Sequence, residues 1–125
     1  MVKKTNKNGL ERKLKQYIET ITKAVNVDQI ILFGSYAKGT AHKYSDIDLA
    51  VVSSDLDPNV SRFRNIRYVK EKTKLLEPGL QLFAYPTEIF FNEENTVHES
   101  FIREIKKTGK VIYKNGKRGN KWPLP

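Results

Sequence analysis

The chain has 125 residues, with 23 Lys and Arg against 14 Asp and Glu, for a net charge of +9. That length fits one domain built on one two-layer core, with no second domain expected for substrate recognition. The absence of cysteine excludes disulfides and thiolate metal sites.

No signal-peptide core follows Met1 and no apolar run approaches the roughly 18 residues of a membrane span, so a soluble, cytoplasmic protein is expected. The positive balance favours an anionic partner such as RNA, DNA, nucleotide phosphates or an acidic protein; solubility alone is the competing explanation. Much of the excess lies at the ends, which divides the chain into a flexible basic N-terminus (1–9), a domain (10–113) and a basic tail (114–125).

In chain order, Leu10, Leu14, Tyr17, Ile18, Ile21 and Val25 follow helical spacing and predict an amphipathic helix ending near Ala24 or Val25. Gln29–Phe33 is a short β-branched run that reads as a buried strand. Gly34-Ser35 ends it, and Ser35 opens a short helix or turn through Lys38. Asp46–Ser53 is the second strand, near-continuously apolar as in a sheet covered on both faces. Asp57-Pro58 predicts a helix start, with Asp57 as N-cap and Pro58 at the first position. Phe63, Ile66, Val69 and Thr73 mark its inner stripe. Leu80–Tyr85 is a third strand. Pro86-Thr87-Glu88 opens a helix that runs to Lys107, with an interruption around Asn92–Asn95. Gly109 caps it, and Val111-Ile112-Tyr113 adds a last strand. The order α-β-(turn)-β-α-β-α-β predicts an α/β (α+β) fold: a small mixed sheet with helices packed mainly on one face.

Chemistry concentrates in two places. A glycine at a strand end lets a ligand approach the backbone closely, because no Cβ blocks it. The turn after it exposes N–H groups that favour an anion. Ser35 adds a hydroxyl and Lys38 a positive charge, so Gly34, Ser35 and Lys38 are the candidate phosphate grip. Ten residues lie between Ser35 and Asp46. Alternation then puts Asp46 and Asp48 on one strand face, where two carboxylates repel each other unless a cation neutralises them. Hard oxygen ligands of this kind suit Mg²⁺, which bridges carboxylates and substrate phosphates. Each piece alone reads as a turn or a pair of solvated acids; the combination of strand, Gly-Ser, gap, Asp-x-Asp and strand is far less common.

Leu32-Phe33-Gly34-Ser35-Tyr36-Ala37-Lys38-Gly39, followed by Ser45-Asp46-Ile47-Asp48-Leu49, resembles the signature of the DNA polymerase β-like nucleotidyltransferase superfamily, and within it the minimal nucleotidyltransferase domains. The resemblance implies a nucleotidyltransferase fold over roughly residues 10 to 113. It implies that Ser35 contacts the triphosphate of ATP or another nucleoside triphosphate, and that Asp46 and Asp48 are catalytic metal ligands. The reaction it implies is transfer of a nucleoside monophosphate to a hydroxyl. It also implies a third acid on the next core strand. The position that fits is Gln81, which brings no charge and no general base; Glu77 and Glu88 flank that strand. Members of this size pair with a HEPN-type helical protein as the antitoxin half of a toxin–antitoxin system, so a helical partner is expected beside a homodimer. The missing acid keeps a second reading open, a catalytically weak or inactive binding module. The basic residues Arg62, Arg64, Arg67, Lys70, Lys72 and Lys74 read either as a solvated helix face or as a surface for RNA or an acidic partner. His42, in the loop between the two motifs, reads as a solvated loop residue.

Overall fold

The first helix, α1 (Lys7–Ala24), forms as its spacing predicts. Leu14, Tyr17, Ile21 and Val25 are almost wholly buried along one stripe while Arg12, Lys13, Lys15 and Glu19 face water. The computed structural model describes residues 7–92 and 99–115. Most of the basic ends (1–6 and 116–125, with Trp122), His98 and most of the interruption expected around Asn92–Asn95 lie outside the described residues, while residues 7–9, expected in the flexible N-terminus, begin α1.

After α1 come β1 (Val27–Phe33), a single turn α2 (Ser35–Lys38), β2 (Ile47–Ser53), α3 (Arg62–Thr73), β3 (Leu80–Pro86), α4 (Thr87–Phe90), α5 (Glu99–Thr108) and β4 (Lys110–Lys114). The four strands make one mixed sheet in the order β3-β2-β1-β4. β1 runs antiparallel to β2 and β4, and β2 runs parallel to β3. The parallel step is possible because α3 carries the chain back across the sheet between them.

Strand alternation splits the buried side chains into two sets. One face presents Ile30, Leu32, Leu49, Val51 and Leu82 to α1 and α3, which form the larger core. The other presents Ile31, Phe33, Ala50, Val52 and Tyr85 to the shorter α4 and α5. Both faces of β2 are covered, which is why its sequence is apolar at nearly every position.

The α3 start differs from the sequence expectation. Ser61 is the N-cap, its side chain accepting from the Arg64 N–H at 3.2 Å. Asp57 instead closes a turn, accepting from the Asn59 N–H at 2.8 Å. The buried Asn65 side chain then ties the Asp57 backbone down, accepting from its N–H at 3.2 Å and donating to its carbonyl at 3.0 Å. Both Asp-Pro and Ser are good helix starters, and Asn65 decides between them by claiming the Asp57 backbone. Phe63, expected on the inner stripe, falls in the first turn and is 68% exposed; Val69 and Thr73 are buried and Ile66 partly buried as expected, and Asn65 joins them.

Gly109 follows α5 directly, its N–H donating to the Ile105 carbonyl at 2.8 Å. Packing demands glycine there, because a Cβ would run into the Ile105 carbonyl of α5 and the Ile31 side chain of β1 and crowd the Leu32 carbonyl.

Candidate functional site

Gly34 sits where β1 gives way to α2, with φ 75° and ψ −154°. That left-handed conformation is open to glycine and strained for other residues. A second constraint acts at the same atom. A Cβ on Gly34 would collide with the Asp48 carboxylate, because that side chain lies against the bare Cα. The register agrees: Phe33 of β1 is paired with Asp48 of β2. Glycine is thus required once by the turn and once by the acid. Gly34→Ala is expected to lower stability by at least about 1–2 kcal/mol from backbone strain alone, with further loss as Asp48 is displaced. A thermal melt beside Gly39→Ala checks this, since Gly39 has φ 80° but open space around its Cα.

Ser35 opens α2. The carbonyl of Gly34 accepts from the N–H groups of Ala37 and Lys38, both at 3.1 Å, and Gly39 closes the turn in a left-handed conformation. The first N–H groups of such a turn have no acceptor within it. They lie beside the Ser35 hydroxyl and one strand over from Asp48. The Lys38 ammonium lies 4.0 Å from the Glu104 carboxylate on α5, both half-exposed. The ammonium therefore faces the helical wall of the site, and Glu104 is a neighbour that sequence reasoning did not single out.

Asp46 lies one residue before β2 and is exposed, and Asp48 is half-buried. Burial, and then the charge of Asp46, hold the Asp48 carboxyl above the usual carboxylate range. The two acids therefore feel each other. Ile47 between them is buried in the larger core, and its N–H donates to the Gly79 carbonyl at 2.9 Å. The acid pair is thus anchored from behind.

On the other side of Asp48, the parallel register sets Gln81 of β3 directly beside it. Gln81 is exposed, on the same sheet face as Asp48. The flanking acids are elsewhere. Glu77 accepts a 2.6 Å hydrogen bond from the hydroxyl of Tyr17 on α1, on the opposite face of the sheet. That bond, after burial, also pushes the Tyr17 hydroxyl well above the usual phenol range. Glu88 lies on α4, past the far end of β3. Among the described residues no three His, Cys, Asp or Glu side chains come together as a metal site.

Around Asp48 and Gln81 the face is aromatic: Phe33 is the partner of Asp48 on β1, and Phe83 lies one alternation step beyond Gln81 on β3. Phe33, Phe83 and Phe101 pack as a triangle with ring centroids 5.2, 5.9 and 5.5 Å apart. Phe101 of α5 roofs this end of the sheet. Phe33 and Phe83 are legible as neighbours of the acid face by counting in twos; Phe101 is not, because its approach depends on how α5 crosses the sheet. A small cleft lined by Pro58, Arg62, Asn65, Tyr85 and Ile89 lies at the other end of β3 and contains none of the candidate residues.

Comparison with known proteins places the chain in a family. The sequence profile described as polymerase beta, nucleotidyltransferase matches residues 13–118. The protein adenylyltransferase MntA of Shewanella oneidensis is 53% identical over 34 residues, which are 27% of this chain and 24% of that protein. The match thus spans about a quarter of that relative's length. A Methanocaldococcus jannaschii protein provisionally named a protein adenylyltransferase is 29% identical over 107 residues, covering 82% of this chain and 97% of that one. Among solved structures, a toxin–antitoxin crystal structure with AMP-PNP shares the fold at TM-score 0.53 and 23% identity, over 80% of this chain and 72% of that chain. With the profile match running across most of its length, the chain belongs to the polymerase β nucleotidyltransferase family.

Proposed function

We propose that the chain binds a nucleoside triphosphate, ATP in the first instance, together with Mg²⁺, and transfers its nucleoside monophosphate to a hydroxyl group. The observation that carries this reading is the Asp48 carboxylate resting on Gly34, held above its ordinary range by burial and by Asp46. A half-buried carboxylate pushed against a second one fits a hard cation. Asp46 and Asp48 would hold that cation, which supplies positive charge to offset the oxygens entering and leaving phosphorus. Gly34 leaves room for the Asp48 carboxylate at the end of β1, and Ser35 with the adjoining N–H groups grips the triphosphate. The acceptor oxygen bonds to the α-phosphorus, the bond to the bridging oxygen breaks, pyrophosphate leaves and the hydroxyl proton passes to solvent.

Relatives named as protein adenylyltransferases, and the fold shared with a toxin–antitoxin structure, support an acceptor on a protein. In this reading the chain is the antitoxin half of a cytoplasmic pair with a HEPN-type helical toxin. The partner, or a second copy in a homodimer, presents the acceptor. Gln81 beside Asp48 favours a second reading, a binding module with weak or no turnover. A titration with Mg²⁺-ATP and Mg²⁺-GTP, run beside a turnover assay with the partner present, separates the two. Binding with release of pyrophosphate supports transfer and binding alone supports the module. No binding at millimolar nucleotide overturns both.

A further inference from the structure

The helix α3 carries Arg62, Arg64, Arg67, Lys70 and Lys72, and Lys74 caps it, against the single acid Glu71. Its buried stripe is Asn65, Val69 and Thr73, which leaves Phe63, Arg67, Lys70 and Lys74 as one ridge at i, i+4, i+7 and i+11, exposed except for the partly buried Lys70. At about 1.5 Å per residue the ridge runs roughly 16 Å. Among the described residues, none of Arg64, Arg67, Lys70 and Lys74 has a carboxylate within ion-pair distance.

Helix stability accounts for only half of this placement. Lys70 and Lys72 in the last turn suit the negative end of the helix dipole, but the first turn contains no acid, and arginines there sit at the positive end, where a cation is unfavourable. Nor does the surface resemble a protein interface, which buries a contiguous apolar centre. Its exposed apolar side chains, Phe63 at 68% and Leu76 at 72%, stand apart at the two ends of the ridge. Phe63 carries the Arg62 guanidinium 5.4 Å over its ring; Tyr68, under the Lys72 ammonium at 5.6 Å, packs partly buried against the core on the other flank of the helix. An exposed aromatic ring at the head of a row of cations suits a sugar–phosphate backbone with a base free to stack.

We propose that the outer face of α3 binds single-stranded RNA. The ridge lies on the sheet face opposite Asp48 and does not depend on the nucleotide reading of that site.

The test is fluorescence anisotropy of the full chain with a labelled 20-nucleotide oligouridine between 50 and 200 mM salt. The variant Arg64→Glu/Arg67→Glu/Lys70→Glu is expected to bind at least tenfold more weakly. Its log–log salt slope should be shallower by about 2, from three lost phosphate contacts at about 0.7 each. Folding should be kept, since a glutamate at position 64 completes a capping box with Ser61; a melt confirms it. The matched reversal Arg12→Glu/Lys13→Glu/Lys15→Glu on the exposed face of α1 should cost less than threefold, and Asp48→Asn nothing. Equal losses from the α1 and α3 reversals would reduce the effect to net charge and overturn the proposal. So would an α3 variant within twofold of wild type, or tighter binding of polyglutamate than of RNA, which would reassign the ridge to an acidic protein.

Discussion

Asp48→Asn is expected to abolish metal-dependent nucleotidyl transfer while raising the melting temperature of the nucleotide-free protein. The two effects share a cause. Burial and the neighbouring Asp46 raise the Asp48 carboxyl above its ordinary range, so the folded protein binds that proton more tightly than the unfolded chain does. The sign follows from linkage. Asp48 costs nothing while protonated, and its cost appears as pH rises from the unfolded value of about 3.9 through the raised folded one. At neutral pH the ionised carboxylate is a net burden on the fold. Asparagine keeps the shape against Gly34 and removes the charge. The stabilisation should therefore be present at pH 7 and shrink toward zero below about pH 4. Transfer should fall by about 10³-fold, the equivalent of about 4 kcal/mol of charge stabilisation. Mg²⁺ should raise the melting temperature of the wild type and not of the variant. A variant less stable than wild type at pH 7 would show that Asp48 is a structural acid and remove the main support for a cation there.

The parts of this site that could be read from sequence are those governed by period and by glycine. Strand alternation fixed in advance which side of β2 carries Asp46 and Asp48, and Ile47 and Leu49 are buried behind them. Gly34 announced a turn with no side chain, although the second reason for it, the Asp48 carboxylate, comes from strand pairing. Where two local signals competed, sequence had no means of choosing. Asp57-Pro58 and Ser61 are both good helix starters, and the choice is made by Asn65, whose amide reaches back eight residues. The same shift hid the exposure of Phe63. Contacts set by the crossing of α5 over the sheet, Lys38 with Glu104 and Phe101 with Phe33 and Phe83, have no signature in spacing. Glu77 is the instructive case. It flanks β3 and passes as a spare acid until the structure hands it to the Tyr17 hydroxyl.

With Glu77 committed to α1 and Glu88 at the far end of β3, the Asp48 carboxylate has an amide as its neighbour on β3. Gln81→Asp is accordingly expected to be a gain-of-function substitution. Under the proposed function, three carboxylates at the neighbouring ends of β2 and β3 would hold a second cation and take the acceptor's proton, where two carboxylates and an amide would hold one cation and leave that proton to solvent. Transfer should rise by roughly 10²-fold, the lower end of what a placed general base contributes. The metal content gives an independent reading. Mn²⁺ titrated in the presence of a non-hydrolysable nucleotide should bind once per wild-type chain and twice per variant chain. Stability should move the other way. A third carboxylate adds to the repulsion that already raises Asp48, so the variant should melt below wild type in chelator and recover when Mg²⁺ is added. A variant that binds one cation and transfers no faster would mean that the site was never short of an acid, and that Gln81 is an adequate partner for whatever chemistry Asp46 and Asp48 perform. A variant that gains the second cation without gaining rate would separate metal binding from turnover and move the protein toward the binding-module reading.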